Sequence, residues 1–144
     1  MSHFAYDYPR PAVTVDIVVF RNRLSEILLI RRLNPPFEGL WALPGGFMDM
    51  SETLEETATR ELQEETSLTG LQLKQLHAFS SLDRDPRHRT ISVVFYCTVD
   101  SDKHTAVAGS DAKEVAWFNL HNLPPLAFDH AAIIALAVEK LSWH

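Results

Sequence analysis

Cysteine is almost missing from this chain: Cys97 is alone among 144 residues, so no disulfide framework can hold the fold. It lies between Tyr96 and Thr98 in an alternating apolar run with no activating side chain beside it, which marks a buried, inert thiol rather than a nucleophile. Long apolar runs are missing too. No segment approaches 18 uninterrupted apolar residues, and Met1 to Tyr8 lacks a basic region followed by an apolar one, which argues against membrane spanning and secretion. A cytoplasmic chain is the consistent expectation. Positive charge is in deficit, with a formal net charge of −6. Gripping a long phosphate backbone requires surplus Lys and Arg, so nucleic acid is not expected as a partner. A small anionic substrate stays possible if bound cations bridge it to the protein.

What remains is an ordinary globular mix, 46% apolar and 22% charged, long enough for one domain over residues 1–144 with its own core. Ala12 to Phe20 and Ile27 to Ile30 are rich in Val, Ile and Leu and read as paired strands around an Arg21-Asn22-Arg23 break. Pro35, Pro36, Gly39, Pro44, Gly45 and Gly46 then exclude a long regular element, leaving a shaped loop with a short strand near Trp41 to Leu43. Leu54, Ala58 and Leu62, at four-residue spacing, form an apolar stripe that predicts a helix from Glu52 to Thr66. Residues 72–81, 90–99 and 115–118 have strand content, and a helix capped by Asp129 should run to Leu141, burying Ile133, Ile134, Ala137 and Leu141. Strands interleaved with two helices give an α/β class, a mixed sheet between helices.

Glu61, Glu64 and Glu65 fall at i, i+3 and i+4 of the first helix, so three carboxylates share one small surface. Like charges so placed repel, and a hard divalent cation with a preference for oxygen ligands reverses that sign. The competing reading is a solvated acidic face balanced by Arg60. Upstream, Pro44-Gly45-Gly46 permits a tight turn able to offer a backbone carbonyl beside the carboxylates, and Glu52 at the helix start lies two turns before Arg60, with which it can pair.

Together Gly46, Glu52, Arg60, Glu61, Leu62, Glu64, Glu65 and Leu68 resemble the Nudix box, G-x5-E-x7-R-E-U-x-E-E-x-G-U with U aliphatic, over residues 46 to 68. Ser67 departs from the pattern where it has glycine, and a residue with a Cβ there pays roughly 1 kcal/mol for a left-handed backbone. The resemblance implies an α/β/α sandwich that hydrolyses a nucleoside diphosphate linked to another group, using Mg²⁺ or Mn²⁺. It further implies that Glu61, Glu64 and Glu65, with the Gly46 carbonyl, are metal ligands, and that Glu52 and Arg60 support them.

Beyond the box, Ser80 to Arg89 and Leu126 to His130 look like the ADP-ribose pyrophosphatase branch of this family, which implies ADP-ribose as substrate with AMP and ribose 5-phosphate as products. Arg84, Arg87 and Arg89 are then candidates for the diphosphate or terminal ribose, since guanidinium groups contact phosphate bidentately; a solvated hairpin loop is the plain alternative. Phe37, Trp41, Phe47 and Phe128 are candidates for an aromatic face toward adenine, against ordinary packing. His130 could touch substrate or serve structure, and Glu114 could add a carboxylate near the metal or its water, with Asp111 a weaker choice. Three other readings compete: nucleoside triphosphate sanitation, a non-catalytic ADP-ribose sensor of the kind that carries a C-terminal DNA-reading domain, for which the chain ending at His144 has no room, and a non-catalytic scaffold with an acidic helix that would tolerate Glu64→Gln. A homodimer is expected by analogy with such families.

Overall fold

The computed structural model describes residues 4–100, 104–109 and 112–142. Seven strands and two helices occur there: β1 (Ala12–Arg21), β2 (Glu26–Arg32), β3 (Trp41–Ala42), β4 (Gly45–Phe47), α1 (Leu54–Thr66), β5 (Lys74–Phe79), β6 (Thr90–Val99), β7 (Ala112–Asn119) and α2 (His130–Leu141). β1 organises them, because its side chains alternate between two buried faces. Val15, Ile17 and Val19 join Ala58 and Leu62 of α1 on one face, while Val18 and Phe20 join Ile133, Ile134 and Ala137 of α2 on the other. A strand covered on both sides carries no polar face, which is why its sequence reads as a nearly continuous apolar run. The expected α/β/α sandwich is thereby realised.

The sheet is mixed, in the order β3-β2-β1-β6-β5, with β4 added to β1 and β7 to β2. β1 and β6 run parallel over their full length, from Ala12 opposite Thr90 to Arg21 opposite Val99. On its other edge β1 meets β2 only at Phe20 and Arg21, and β4 takes up the pairing at Thr14, Val15 and Asp16. β1 and β2 therefore share only one end of their length, and a cleft opens on the side where β4 enters.

Helix α1 begins two residues later than its apolar stripe suggests. Thr53 caps it: its hydroxyl accepts from the Glu56 N–H at 3.1 Å, and the Glu56 carboxylate accepts from the Thr53 N–H at 2.9 Å, a reciprocal capping box. At the other end Ser67 holds a left-handed φ of 66°. Residues 104–109 lie against that end. Val107 and Gly109 donate backbone N–H groups to the Thr66 and Glu65 carbonyls at 2.8 and 3.0 Å, which meets two acceptors that the last helical turn leaves open. The Ser67 hydroxyl donates to the Val107 carbonyl at 3.0 Å. In α2, Asp129 occupies the capping position but makes no capping bond; its carboxylate is drawn away to Arg84 instead. Cys97 is buried, and burial pushes its thiol up to about 12, in keeping with an inert side chain. Among the described residues no helix is long and apolar enough to cross a membrane.

Candidate active site

The turn at Pro44-Gly45-Gly46 enters β4, whose pairing with β1 lays bare backbone against the acidic face of α1. Side chains are excluded there by contact. A Cβ on Gly46 would stand 2.5 Å from the Glu61 carboxyl group, and one on Gly45 would collide with the Val15 carbonyl. The Gly45 N–H instead donates to Glu65 Oε1 at 2.7 Å, and Glu65 is buried.

Arg60 gathers the other box carboxylates. Its Nε and Nη2 donate to the two oxygens of Glu52 at 2.6 and 2.9 Å, and Nη1 reaches Glu61 at 2.8 Å and Glu64 at 3.3 Å. Nη2 also donates to the Phe47 carbonyl at 3.2 Å, tying β4 to the helix. Glu52 accepts further bonds from the Asp49 N–H and the Thr57 hydroxyl. Hydrogen bonding to Arg60 brings the Glu52 carboxyl from 4.5 down to about 2, and the same bond raises Arg60 above its ordinary value.

Among the described residues no three His, Cys, Asp or Glu side chains form a ready-made metal cage. The donor set nevertheless fits a hard divalent cation: one guanidinium nitrogen already stands between oxygens of Glu61 and Glu64, so a positive centre is accommodated where these carboxylates converge. Mg²⁺ is bound through a small number of protein oxygens and completes its shell with water and phosphate.

Glu61, Glu64 and Glu65 line one wall of a cleft of about 760 Å³, and Arg32, Arg87 and Phe128 line it as well. Arg87 is held by Asp85, which takes its Nε at 3.1 Å and Nη2 at 2.8 Å, so the guanidinium stands 5.1 Å from the Phe47 ring centre and 5.7 Å from that of Phe128. Arg32 lies 5.0 Å over the other part of this wall, the Phe128 ring. Burial, and next the charge of Arg87, hold Arg32 below its ordinary pKa.

A buried polar network forms the floor. Asp16 Oδ2 accepts from the Ser92 hydroxyl at 2.5 Å and lies 3.8 Å from Arg84, while Asp16 Oδ1 lies 3.4 Å from His130 Nε2. His130 Nδ1 accepts from the Leu43 N–H at 3.0 Å. That nitrogen carries no proton, so Nε2–H faces Asp16. Burial lowers the His130 pKa despite Asp16 nearby, consistent with a neutral ring.

The structure thus brings Gly46, Glu61, Glu64, Glu65, Arg60, Phe47, Arg84, Arg87, Phe128 and His130 to one cleft, with Glu52 behind Arg60. Two of these are occupied by structure: Arg84 is buried with its fork on Asp129, and His130 bridges Leu43 and Asp16. Besides Glu52, four sequence candidates among the described residues do not line the cleft: Glu114, Trp41, Arg89 and Phe37. Glu114 pairs with Arg31 on the exposed register of β2 and β7, Trp41 packs edge-on against Phe118 at 4.8 Å, and Arg89 lines a separate groove with Tyr6 and Met50. Phe37 meets Phe128 edge-on at 4.8 Å, and Asp111 lies outside the described residues. Asp16, Arg32 and Asp85 were not singled out from sequence. An aspartate inside the apolar run of β1 was a usable signal for Asp16; nothing distinguished Arg32 from Arg31.

This fold, with a glycine turn laid on the helix face that carries Glu61, Glu64 and Glu65, defines a Nudix domain, and residues 10–137 match the NUDIX domain family. The chain belongs to the Nudix hydrolase family. It is 49% identical over 127 residues to an ADP-ribose pyrophosphatase of Methanocaldococcus jannaschii, covering 88% of this chain and 73% of that protein. It is 33% identical over 143 residues to the ADPR responsive transcriptional repressor NtrR of Acinetobacter baylyi, covering 94% of this chain but 56% of the repressor. Among solved structures, the NUDIX domain of Shewanella oneidensis NrtR complexed with ADP ribose superposes with a TM-score of 0.86 at 34% identity, covering 94% of each chain.

Proposed function

We propose that this chain hydrolyses the diphosphate bond of ADP-ribose, giving AMP and ribose 5-phosphate, with Mg²⁺ or Mn²⁺ as cofactor. One observation carries the reading: a single cleft has the carboxylates of α1 on one wall and Arg87, Phe47 and Phe128 on another. That combination suits a ligand with a diphosphate between a base and a sugar. The 49% identity to an ADP-ribose pyrophosphatase supports the same substrate.

Glu61, Glu64 and Glu65, with the Gly46 carbonyl, are the groups that would hold the metal. A divalent cation held there would neutralise diphosphate oxygens and lower the pKa of its bound water toward neutrality. The rest belongs to the protein. The Gly45 N–H fixes Glu65, and Arg60 fixes Glu61 and Glu64 while anchored to Glu52, so the acidic face is arranged before substrate arrives. Asp85 orients the Arg87 guanidinium toward phosphate. Water adds across the phosphoanhydride, and no covalent enzyme intermediate is required.

Product release from ADP-ribose, other nucleotide sugars, dinucleotides and nucleoside triphosphates, each with Mg²⁺, Mn²⁺ or chelator, tests this. Metal-dependent AMP from ADP-ribose is the expected result, and turnover confined to nucleoside triphosphates would move the enzyme to nucleotide sanitation. The sensor reading is favoured by the resemblance to the repressor; tight ADP-ribose binding with no products under any metal would select it. We also place the protein in the cytoplasm as a homodimer without a nucleic-acid partner, and light scattering on the purified protein checks the dimer.

A further inference from the structure

Four arginines line the cleft, and three of them have a carboxylate: Arg60 has Glu52, Arg84 has Asp129 and Arg87 has Asp85. Arg32 is the exception. At the end of β2 its Nε donates to the Pro36 carbonyl at 2.8 Å and its Nη2 to the Asn34 carbonyl at 3.4 Å, and among the described residues no carboxylate lies within ion-pair distance of it. Its neighbour Arg31 is outside the cleft on Glu114. A guanidinium stays charged in proteins, and this half-buried one feels Glu65, Asp85 and Asp16 only from beyond ion-pair distance, so an anionic ligand in direct contact would offset the cost of burying it.

The setting of Arg32 fixes what that ligand meets. Arg32 and Arg87 both approach the ring of Phe128, at 5.0 and 5.7 Å. Phe128 holds a left-handed φ of 52°, an expensive backbone for a bulky residue that persists only where its surroundings enforce it. Arg87 gives Nε and Nη2 to Asp85, while Nη1 takes no part in that pair, and the residue lines the cleft. Two like charges are thus brought near one aromatic ring, in the same cleft as the acidic face of α1.

We propose that Arg32 and Arg87 form a two-guanidinium anion site that takes non-bridging oxygens of the substrate diphosphate, with Arg32 the residue that selects a diphosphate over a single phosphate. The inference rests on the ADP-ribose reading and deepens it.

The test compares wild type, Arg32→Gln, Arg32→Lys and the control Arg31→Gln, with folding checked by circular dichroism. Arg32→Gln should raise KM for ADP-ribose by about 10-fold or more with kcat within about threefold, because it removes charged hydrogen bonds to bound substrate and no group of the α1 face. Arg32→Lys should recover part of the loss, and Arg31→Gln should match wild type. Calorimetric titration with inorganic pyrophosphate in chelator gives a second readout, in which Arg32→Gln should weaken binding by a similar factor and binding of inorganic phosphate should change less. A folded Arg32→Gln with unchanged KM and unchanged pyrophosphate affinity overturns the anion site while ADP-ribose turnover by wild type still stands. If wild type does not cleave ADP-ribose, that reading fails separately, and pyrophosphate decides: Arg32-dependent binding supports the site, and Arg32-independent or absent binding overturns it. Should Arg32→Gln not fold, Arg32→Lys carries the comparison, since a point charge that cannot form the planar fork must still bind pyrophosphate measurably more weakly.

Discussion

Gly45 and Glu65 are joined by a 2.7 Å hydrogen bond from the glycine backbone to the glutamate carboxylate. A buried carboxylate is thereby fixed before any cation arrives. Glu65→Gln keeps an acceptor oxygen for Gly45 but loses the charge. Turnover should fall by about 100-fold or more, with thermal midpoint nearly unchanged. Glu65→Ala should cost about 1 kcal/mol of stability as well, by leaving the half-buried Gly45 N–H without its acceptor. Metal-dependent hydrolysis and thermal melts of both variants check this, and a folded, fully active Glu65→Gln would remove Glu65 from the metal site.

Arg60 and Glu52 make the prediction about acid. Because the Glu52 carboxyl sits at about 2 in the folded state against 4.5 ordinarily, its pairing contributes stability that is present above about pH 4.5 and lost as pH falls toward 2. Arg60→Ala should return the Glu52 pKa toward 4.5, flatten that part of the stability profile and lower activity. Carboxyl titration by NMR and acid unfolding curves measure it; an unmoved Glu52 pKa would show that Arg60 does not hold it.

The two glycines of the turn should fail in different ways. Alanine at Gly45 meets the Val15 backbone, which cannot swing aside, whereas alanine at Gly46 meets the end of the Glu61 side chain. Gly45→Ala should therefore lower the thermal midpoint substantially, by the 1–3 kcal/mol or so typical of overpacking. Gly46→Ala should melt closer to wild type and lose activity. Equal melting losses in the two would contradict the distinction.

His130 supplies the opposite end of the pH scale. Its folded pKa is lowered from 6.5 by burial, so the unfolded chain binds a proton more readily and stability falls as pH drops below about 6.5. Replacing it with Gln should reduce stability at pH 7.5 by about 1–3 kcal/mol, through the Leu43 N–H it leaves poorly met, and should make stability less pH-dependent between 7 and 5. Denaturant midpoints across that range decide the matter, and an unchanged slope would assign the pH response elsewhere.

The parts legible in sequence were those set by local pattern. The stripe of Leu54, Ala58 and Leu62 located α1, and the apolar runs located β1 and β6, because burial imposes a period. Two features were hidden. β4 consists of Gly45, Gly46 and Phe47, residues that carry strand hydrogen bonds without strand propensity, so the segment looked like pure turn. The parallel pairing of β1 with β6 joins residues far apart in the chain, and no local pattern encodes it. At the site, the box spacing singled out the carboxylates, since one helix presents them together. Arg84 was read as a phosphate contact because its charge is visible in sequence, while its carboxylate partner Asp129 lies 45 positions away. Arg32 was passed over for the converse reason: only the fold shows that it, unlike Arg31, faces the cleft.

Ser67 carries an evolutionary consequence. A glycine there would relieve the left-handed backbone, worth roughly 1 kcal/mol, but would give up the hydroxyl bond to Val107, worth about the same. The two residues are close to interchangeable in energy, so a lineage can drift from one to the other without passing through a weakened ancestor.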